Sequence, residues 1–402
     1  KVLLGVLIVL VLCIGLFMKN KTSTLNNSSI NKESVTKELD DNLIGAYIQE
    51  GEEYIQTDDI PSSGYEFNKE KSYCKIGDTV QEDITLFYDM DTQTITVSPI
   101  TKEGLKCYLY FDEKASAGDT ILASENAPTN STTDWTNGGK GITYYYTGNP
   151  NNWVSFAGLW WRIIRINGDG SIRMIYQGTT PNMTGANTQI GTSAFNSIWE
   201  GTYDDVGYMY EIGQQHGLSQ SSIIKNTLDE WYTNNLGSKN FDDYIDKDAG
   251  FCGDRRITSS PNGTYYLPDS RIDSNNPDLS CETLDIYTIS ESVYGNKSLL
   301  YPIGLISADE AMLAGLPNIN SSGNTNNYLY TGQIYWTMSP SYYFGDAFVF
   351  YVSSSGNVSS GALGMGNVSS TNGVRPVINL KSDVSITGLG TTTDPFKVVG
   401  AS

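Results

Sequence analysis

The chain of 402 residues has a single histidine, His216, and only five cysteines. With one imidazole, it cannot form a zinc site or a catalytic triad that needs several histidines. Basic residues are also scarce, with 25 Lys and Arg against 45 Asp and Glu, which gives a formal net charge of -20. A chain this acidic, without a basic cluster, is a poor partner for nucleic acid or anionic lipid. We therefore expect no metal ion, no other cofactor and no nucleic-acid partner.

Charged side chains are almost absent between Glu310 and Arg375, where Asp346 is the exception. The segment is built from Tyr, Ser, Asn, Gly and small apolar residues. Tyrosine supplies rigid contact area at low entropy cost, and Ser, Asn and Gly supply adaptable hydrogen bonds, as in antibody paratopes. This composition is typical of a recognition surface, and nothing comparable points to catalysis.

The N-terminus carries an apolar run of 17 residues after Lys1, ending at Met18. That length is at the lower limit for crossing a bilayer core, and it predicts a transmembrane helix over residues 1–18 that anchors the chain. A cleaved signal peptide is the competing interpretation, but no small-x-small cleavage site follows. Lys19 and Lys21 oppose an orientation with the N-terminus inside the cell. The polar residues 19–43 predict a spacer between the membrane and the first domain.

Four of the cysteines fall into two local pairs, Cys74 with Cys107 and Cys252 with Cys281. An even number of cysteines in an exported chain predicts disulfides. Each pair would close a loop of roughly 30 residues, which is worth about 3 kcal/mol in the chain-entropy model. The spacing has none of the C-x-x-C character of metal or redox sites.

Composition divides the rest of the chain into regions. Short β-prone runs separated by Asp, Gly and Pro turns follow the spacer, and Thr94 to Val97 alternates with the period of a half-buried strand. A later stretch has loop composition throughout. We predict a small all-β module at 44–113, a linker at 114–143, a large domain at 144–385 and a tail at 386–402.

The large domain shows both strand and helix signals. Two β-prone runs, 159–166 and 171–176, flank an Asn-Gly-Asp-Gly turn and form the strongest hairpin signal in the chain. Apolar residues at helical spacing predict an amphipathic helix over 219–236. Ser307 and Glu310 form a capping box that predicts a second helix. Further strands are predicted at 141–146, 334–338, 347–352 and 373–380. Because proline has no N–H to donate, Pro376 predicts that the last of these lies at a sheet edge, begins late or contains a bulge.

Seven strings occur in one order and carry a resemblance. They are Tyr146-Thr-Gly-Asn-Pro-Asn-Asn-Trp-Val154, Leu159-Trp-Trp-Arg-Ile-Ile164, Leu228-Asp-Glu-Trp-Tyr232, Phe251-Cys-Gly-Asp-Arg255, Ser307-Ala-Asp-Glu310, Trp336-Thr-Met-Ser-Pro340 and Gly373-Val-Arg-Pro-Val-Ile-Asn-Leu380. Over roughly residues 144–385 the chain resembles an uncharacterised family of surface proteins from Gram-positive bacteria. Its closing pattern resembles the C-type-lectin-like fold of formylglycine-generating-enzyme-like domains. The resemblance implies an α+β domain with a twisted antiparallel sheet and two flanking helices.

In several groups with that fold, the loops and strand before the terminal Gly-x-Arg carry a ligand-binding face. The resemblance therefore implies ligand-binding roles for Ser341, Tyr342, Tyr343, Phe344, Asp346, Phe348, Tyr351, Ser353, Asn357, Ser359 and Asn367. Strand alternation leaves open whether Phe348 and Phe350 or Val349 and Tyr351 face outward. The chain has no cysteine after Cys281 and no Glu-Pro-Asn motif, so it departs from the oxidases and the calcium-dependent lectins of this fold.

Three functions remain open on the sequence alone. The first is a membrane-anchored, extracellular, adhesin-like protein that binds a protein or glycan through its Tyr/Ser/Asn-rich C-terminal face and performs no catalysis. It would be a single-pass cell-membrane protein with the large domain outside. The second is a hydrolase of cell-wall or other glycans that uses a carboxylate pair. Its candidate acids are Asp254, Asp269, Asp273, Asp278 and Glu282. The third is a non-binding structural protein of the cell envelope.

Overall fold

The computed structural model describes most of the chain beyond residue 43. The described ranges are 44–58, 60–61, 64–89, 94–99, 103–134, 141–197, 206–260, 263–317, 326–354 and 363–401. The predicted membrane anchor and spacer, residues 1–18 and 19–43, lie outside these ranges. Among the described residues, no helix has the length and apolar character needed to cross a membrane.

The chain divides after Ala115 into two compact units. It is a mixed α/β protein, mostly sheet with few helices. The strands of the small unit are β1 (Ile44–Glu50), β2 (Glu53–Thr57), β3 (Tyr65–Ile76), β4 (Thr79–Val80), β5 (Thr85–Asp89), β6 (Thr94–Ser98) and β7 (Leu105–Glu113). Five of them form a sheet in the order β2-β1-β7-β3-β4, and β5 pairs with β6 as a separate hairpin.

Strand β7 shows how sequence alternation builds the small unit. Leu105, Cys107, Leu109 and Phe111 are buried and face the core, whereas Tyr108 and its alternating neighbours are partly exposed on the other side. The core-facing Cys107 lies directly opposite Cys74 in register, and the two form a disulfide. The predicted Cys252–Cys281 disulfide is present in the large unit as well. Both predicted disulfides are thus confirmed.

The outer side of this small sheet is covered by tyrosine rings. Tyr47 stacks on Tyr110 with ring centroids 4.9 Å apart, and Tyr73 stacks on Tyr108 at 5.1 Å. Burial, and after it the neighbouring Tyr73, raises the pKa of Tyr110 to about 12. We call Tyr47, Tyr54, Tyr73, Tyr108 and Tyr110 the tyrosine face.

The large unit contains four short helices and the remaining strands. The helices are α1 (Ala117–Leu122), α2 (Ile223–Asn235), α3 (Leu267–Asp273) and α4 (Ala308–Leu313). The strands are β8 (Asn130–Thr133), β9 (Ile142–Tyr145), β10 (Trp153–Phe156), β11 (Leu159–Ile166), β12 (Ile172–Gly178), β13 (Gly191–Ala194), β14 (Met209–Tyr210), β15 (Gln220–Ser221), β16 (Phe251–Cys252), β17 (Ile257–Ser260), β18 (Gly263–Tyr266), β19 (Ile286–Tyr287), β20 (Tyr335–Tyr343), β21 (Ala347–Val352), β22 (Leu363–Asn367), β23 (Thr371–Val374), β24 (Val377–Leu380), β25 (Ile386–Thr387) and β26 (Phe396–Val398).

Several local predictions for the large unit are confirmed. The hairpin β11–β12 turns where predicted, and the backbone N–H of Asn167 donates to the carbonyl of Ser171. Helix α2 begins after the cap Ser222 and lies within the predicted range 219–236. Helix α4 has the predicted capping box, in which Ser307 and Glu310 bond each other's backbone N–H groups. The unit has four helices among its described residues, however, where the sequence predicts two.

An eight-stranded sheet joins the beginning and the end of the large unit. Its main path runs β24-β12-β11-β10-β26-β25, with β9 and β8 attached beside β11. The predicted tail 386–402 is therefore wrong, because β25 and β26 pair within this sheet and bury Phe396. The predicted linker 114–143 is also wrong over much of its length. It supplies α1 and β8, and its Asp134 is buried in an ion pair with Arg165.

A seven-stranded sheet carries the charge-poor segment. Its main path runs β13-β23-β20-β18-β17, and β21 and β22 extend it beside β20. The predicted strand 373–380 is split at Arg375 and Pro376 into β23 in this sheet and β24 in the eight-stranded sheet. Pro376 cannot donate to a ladder, which explains the interruption. Strand β24 ends the order of its own sheet, as predicted for an edge.

Candidate functional site

Three aromatic side chains form a row across neighbouring strands of the seven-stranded sheet. Tyr265 of β18 is paired directly with Tyr342 of β20, and their ring centroids are 5.7 Å apart. Tyr342 stacks in turn on Phe348 of β21 at 4.5 Å, with an angle of 10° between the ring planes. We call these three residues the aromatic ladder. Cross-strand aromatic pairs of this kind stabilise one another and fix the orientation of each ring.

The aromatic ladder is accessible to solvent. Tyr265, Tyr342 and Phe348 are all partly exposed, and Phe344, in the turn after Tyr342, is 69% exposed. The backbone of Gly263 approaches closely, since a Cβ atom there would lie 3.1 Å from the Phe344 ring. Phe344 and the aromatic ladder together expose several aromatic rings, and clustered apolar surface of this kind is typical of interaction sites.

Buried groups support the aromatic ladder from the opposite face of β20. Ser341 precedes Tyr342, so its side chain points to the other face, where it is completely buried. Its hydroxyl donates to Asp269 of helix α3 at 2.7 Å. Burial raises the pKa of Asp269 to about 6, although the Ser341 hydrogen bond opposes the rise. The sheet under the aromatic ladder is thus held by a polar contact to a helix.

Tyr351 lies outside the aromatic ladder, which corrects one predicted site residue. It is three residues from Phe348 on β21, so the two side chains point to opposite faces. Tyr351 packs near the buried Trp336 and against Gly364 and Gly366 of β22. A Cβ atom on Gly364 would lie 2.3 Å from the Tyr351 ring, so glycine is required there. Its contacts make Tyr351 a packing residue.

The structure sorts the other predicted site residues into groups. Ser341 and Ser353 are 0% and 1% exposed, so their assignment to a ligand-binding surface is wrong. Asn367 lies opposite Phe348 and accepts hydrogen bonds from the backbone and hydroxyl of Ser369, which shapes the turn after β22. Tyr343 and Asp346 are partly exposed beside Phe344. The two remaining predicted residues, Asn357 and Ser359, lie outside the described residues.

Tyr265 belongs to the aromatic ladder but is absent from the residues that the sequence predicts. A signal for it is present, because Asn262-Gly263 separates two β-prone runs, which is typical of a hairpin. What the chain does not reveal locally is that β18 pairs with β20. The pairing joins residues that are far apart in sequence.

A buried charged cluster lies elsewhere in the large unit. Glu310 of helix α4 forms ion pairs with Arg165 and Arg173, and Arg165 also pairs with Asp134. Burial favours the neutral acid, but the charges of Arg173 and Arg165 prevail and lower the pKa of Glu310. We call Asp134, Arg165, Arg173 and Glu310, together with Asp254, Arg271 and Asp309, the charged cluster.

The second half of the charged cluster involves one candidate catalytic acid. Arg271 donates to both oxygens of Asp309, at 2.7 and 2.8 Å, and to Asp254 at 2.7 Å. Asp254 also binds Arg256 through two hydrogen bonds. Bidentate contacts of this kind favour the ionised pair. These contacts to two arginines give Asp254 a structural role.

The other candidate acids have separate surroundings. Asp278 shares with the charged cluster a cavity of about 10 Å³, which has room for at most one water molecule. Asp269 is buried below β20, and Asp273 and Glu282 are exposed. The raised pKa of Asp269 has a structural cause, its burial beneath the sheet.

The single histidine has a partner. The Nδ1 atom of His216 lies 3.0 Å from Asp285, and this hydrogen bond raises the pKa of the imidazole. The same carboxylate binds Arg255, which is completely buried. Within the described part of the chain, no group of three or more His, Cys, Asp or Glu residues is placed to hold a metal ion.

Comparison with known proteins adds no relative. No protein-family model, no curated protein and no solved structure matches the chain.

Proposed function

We propose that this chain is a membrane-anchored extracellular recognition protein of adhesin type. Its aromatic ladder, together with Phe344, forms the contact surface for a protein or glycan ligand. The binding is reversible and involves no catalysis. Residues 1–18 would hold the protein in the membrane, and the spacer 19–43 would separate the small unit from the bilayer.

One observation carries this proposal. The aromatic ladder exposes stacked rings on a sheet, and two of its three residues, Tyr342 and Phe348, belong to a segment that contains a single charged side chain, Asp346. Aromatic side chains on rigid elements are the usual anchors of binding sites, because little conformational entropy is lost when a ligand covers them. In the free protein these rings expose apolar area to water, which is unfavourable. A bound ligand would cover that area.

The resemblance to C-type-lectin-like domains supports the same conclusion. The strings Trp336-Thr-Met-Ser-Pro340 and Gly373-Val-Arg-Pro-Val-Ile-Asn-Leu380 fall on β20, β23 and β24, with β21 beside β20. Tyr342, Phe344 and Phe348 of the proposed surface are residues to which the resemblance gives ligand-binding roles, whereas Tyr265 of β18 is an addition to them. We propose the C-type-lectin-like fold for the large unit on this basis. The additional helices and the eight-stranded sheet would be elaborations of that fold.

An extracellular location is supported by the cysteines. Both disulfides are formed between cysteines that are local in sequence, and stable disulfides of this kind belong to oxidising compartments. The strong negative charge would keep such a domain soluble outside the membrane.

The test is a binding screen with the full chain held in lipid nanodiscs. Wild-type protein is applied to an array of glycans and bacterial or host surface proteins, beside a Tyr265→Ala/Tyr342→Ala variant. We expect binding to at least one class of ligand, and we expect the variant to lose at least tenfold in affinity. Tyr108→Ala is the matched control, because it removes a stacked, partly exposed tyrosine from the tyrosine face.

The outcomes separate the three candidate functions. Loss of affinity in the ladder variant, with an unchanged melting temperature, supports recognition through the aromatic ladder. Release of reducing ends from a glycan substrate would favour the hydrolase. Absence of any binding in the screen, with intact folding, would favour the structural protein.

A further inference from the structure

A polar surface cleft lies at a different place on the large unit. Its volume is about 370 Å³, within the range of about 300–1,000 Å³ that is usual for small-ligand pockets. One wall is the loop 125–130 before and at the start of β8, and the other is the segment 145–151 after β9. The cleft shares no residue with the aromatic ladder, so a ligand bound in it is independent of the proposed function.

Asn126 of the first wall links the two walls. The amide of Asn126 donates to the carbonyl of Leu389 at 2.8 Å and accepts from the amide of Asn151 at 3.1 Å. The backbone carbonyl of Asn126 accepts a hydrogen bond from the buried Tyr146 hydroxyl at 2.8 Å. Three hydrogen bonds of Asn126 therefore hold the loop 125–130 in place, so the cleft has its shape before a ligand binds.

The second wall is anchored just as firmly. Arg162, which is 3% exposed, donates to the carbonyl of Pro150 at 2.9 Å and lies 4.2 Å above the Trp153 ring. Gly148 has a φ of +71°, a conformation that favours glycine, and its backbone bonds Ala314 and Tyr328 on either side. A binding site gains affinity when its shape is fixed before the ligand arrives.

The groups left to face a ligand are amides, hydroxyls and one ring. Asn130, Thr147 and Asn149 are exposed in the cleft, and the only hydrogen bond between them is a long one of 3.4 Å from Asn130 to Thr147. The amide of Asn149 also donates to Asn326 at 3.2 Å, which leaves its oxygen to face the cleft. Tyr145 of β9 is partly exposed in the same cleft. Each amide offers both a donor and an acceptor, and the ring offers an apolar face.

The charge of the cleft narrows the ligand class. Glu125 is its one charged lining residue, and none of the lining residues is a cation. An anionic ligand such as a phosphate or a sialylated sugar would have no counter-charge there and would meet a carboxylate. A neutral saccharide has hydroxyls that both donate and accept, and it has an apolar C–H face that can cover a tyrosine ring. We propose that this cleft binds a short, uncharged oligosaccharide.

The test uses the full chain and a panel of uncharged hexose and N-acetylhexosamine oligomers, with titration calorimetry and ligand-observed NMR. We expect at least one oligomer to bind, and we expect Asn130→Ala/Asn149→Ala to weaken it more than tenfold. Tyr145→Phe should retain the affinity because it keeps the ring, whereas Tyr145→Ser should weaken it. Asn234→Ala, an exposed asparagine on helix α2, is the control and should change nothing.

Two further arms make the outcome decisive. Phe348→Ala removes a ring of the aromatic ladder, and it should leave oligosaccharide binding in the cleft unchanged. A sialylated oligomer and an unstructured neutral peptide test the other ligand classes. The proposal is overturned if no uncharged oligomer binds, if only the peptide or the sialylated oligomer binds, or if the Asn130/Asn149 variant binds as wild type does.

Discussion

The charged cluster and the aromatic ladder are opposites within one unit. The cluster packs four acids and three arginines where solvent hardly reaches, with Glu310 and Arg165 only 3% and 2% exposed. The ladder places three partly exposed rings at the surface, and two of them belong to a segment nearly free of charge. Charged residues usually lie outside and aromatic residues inside. Here both rules are reversed, and the reversals have different physical consequences.

The two regions differ in how much stability a substitution removes. Removing one partner of a buried ion pair leaves an uncompensated charge in a medium of low dielectric constant, which is strongly destabilising. Truncating a ring that is already partly in water removes less buried area and leaves no unsatisfied group. The charged cluster should therefore determine stability, and the aromatic ladder should determine binding. Single substitutions in each region can separate these two roles.

The largest effect is expected for Glu310→Gln. The variant keeps the shape of the side chain and an acceptor for the Ser307 N–H but removes the charge shared by Arg165 and Arg173. We expect a loss of about 3–5 kcal/mol in the free energy of unfolding. Urea unfolding followed by tryptophan fluorescence measures it, because all seven tryptophans lie in the large unit.

The matched control is Asp119→Asn on helix α1. Asp119 occupies the same capping-box position relative to Ser116 that Glu310 occupies relative to Ser307, but it is exposed and pairs with no arginine in the described residues. Loss of its charge should cost less than about 1 kcal/mol. Equal losses of unfolding free energy in Glu310→Gln and Asp119→Asn would show that the capping position of Glu310, and not its buried charge, determines its contribution to stability.

The second prediction concerns the disulfide beside the charged cluster. Cys252–Cys281 closes a loop over a sequence separation of 29 residues that includes Asp254 and Arg271. Replacing both cysteines by serine should lower the free energy of unfolding by about 3 kcal/mol, through the entropy of the unfolded chain. Affinity at the aromatic ladder should not change. Cys13→Ser is the control and should leave the urea midpoint unaltered, since both described disulfides remain.

Local signals in the sequence are sufficient for part of this fold. The helix within 219–236, the cap Ser307, the hairpin at Asn167 and the strand 347–352 each depend on neighbouring residues, and each is predicted correctly. The predicted tail after residue 385, by contrast, completes the eight-stranded sheet, where β26 pairs with β10. Its pairing partner lies at the opposite end of the unit, so no window along the chain contains the information.

The candidate site shows the same limit. The charge-poor stretch rich in tyrosine is visible without a structure, and within it the resemblance implies roles for Tyr342, Phe344 and Phe348. It cannot assign faces, so the buried Ser341 and the packing residue Tyr351 are predicted together with them. A bulge-containing register between β20 and β21 changes which side chains share a face, and alternation counted along the sequence cannot follow it.

The third prediction compares two phenylalanines on one strand. Phe348 and Phe350 point to the same face of β21, but Phe348 is partly exposed and Phe350 is 2% exposed. Phe348→Ala should reduce ligand affinity tenfold or more while lowering the free energy of unfolding by less than about 1.5 kcal/mol. Phe350→Ala should instead cost about 3–5 kcal/mol, because it opens a cavity. If both variants lose stability equally, the aromatic ladder is part of the core.

The smallest effect is expected at Asp269, whose carboxylate lies beneath the aromatic ladder and accepts the Ser341 hydroxyl. Burial raises its pKa to about 6, from about 3.9 in an unfolded chain. The folded state therefore binds this proton more tightly. The resulting stabilisation is fully present below about pH 4 and is lost as the pH rises to about 6. Asp269→Asn removes the ionisation and keeps an acceptor for Ser341.

The free energy of unfolding of Asp269→Asn, relative to that of wild type, should thus rise by on the order of 1 kcal/mol when the pH is raised from 4 to 7. Urea unfolding of both proteins at the two pH values measures this difference. Asp246, whose pKa burial likewise raises to about 6, is present in both proteins and cancels from the comparison. A pH-independent difference for Asp269→Asn would mean that this carboxyl group stays ionised under β20, and that the support beneath the aromatic ladder is an anion already accommodated by its surroundings.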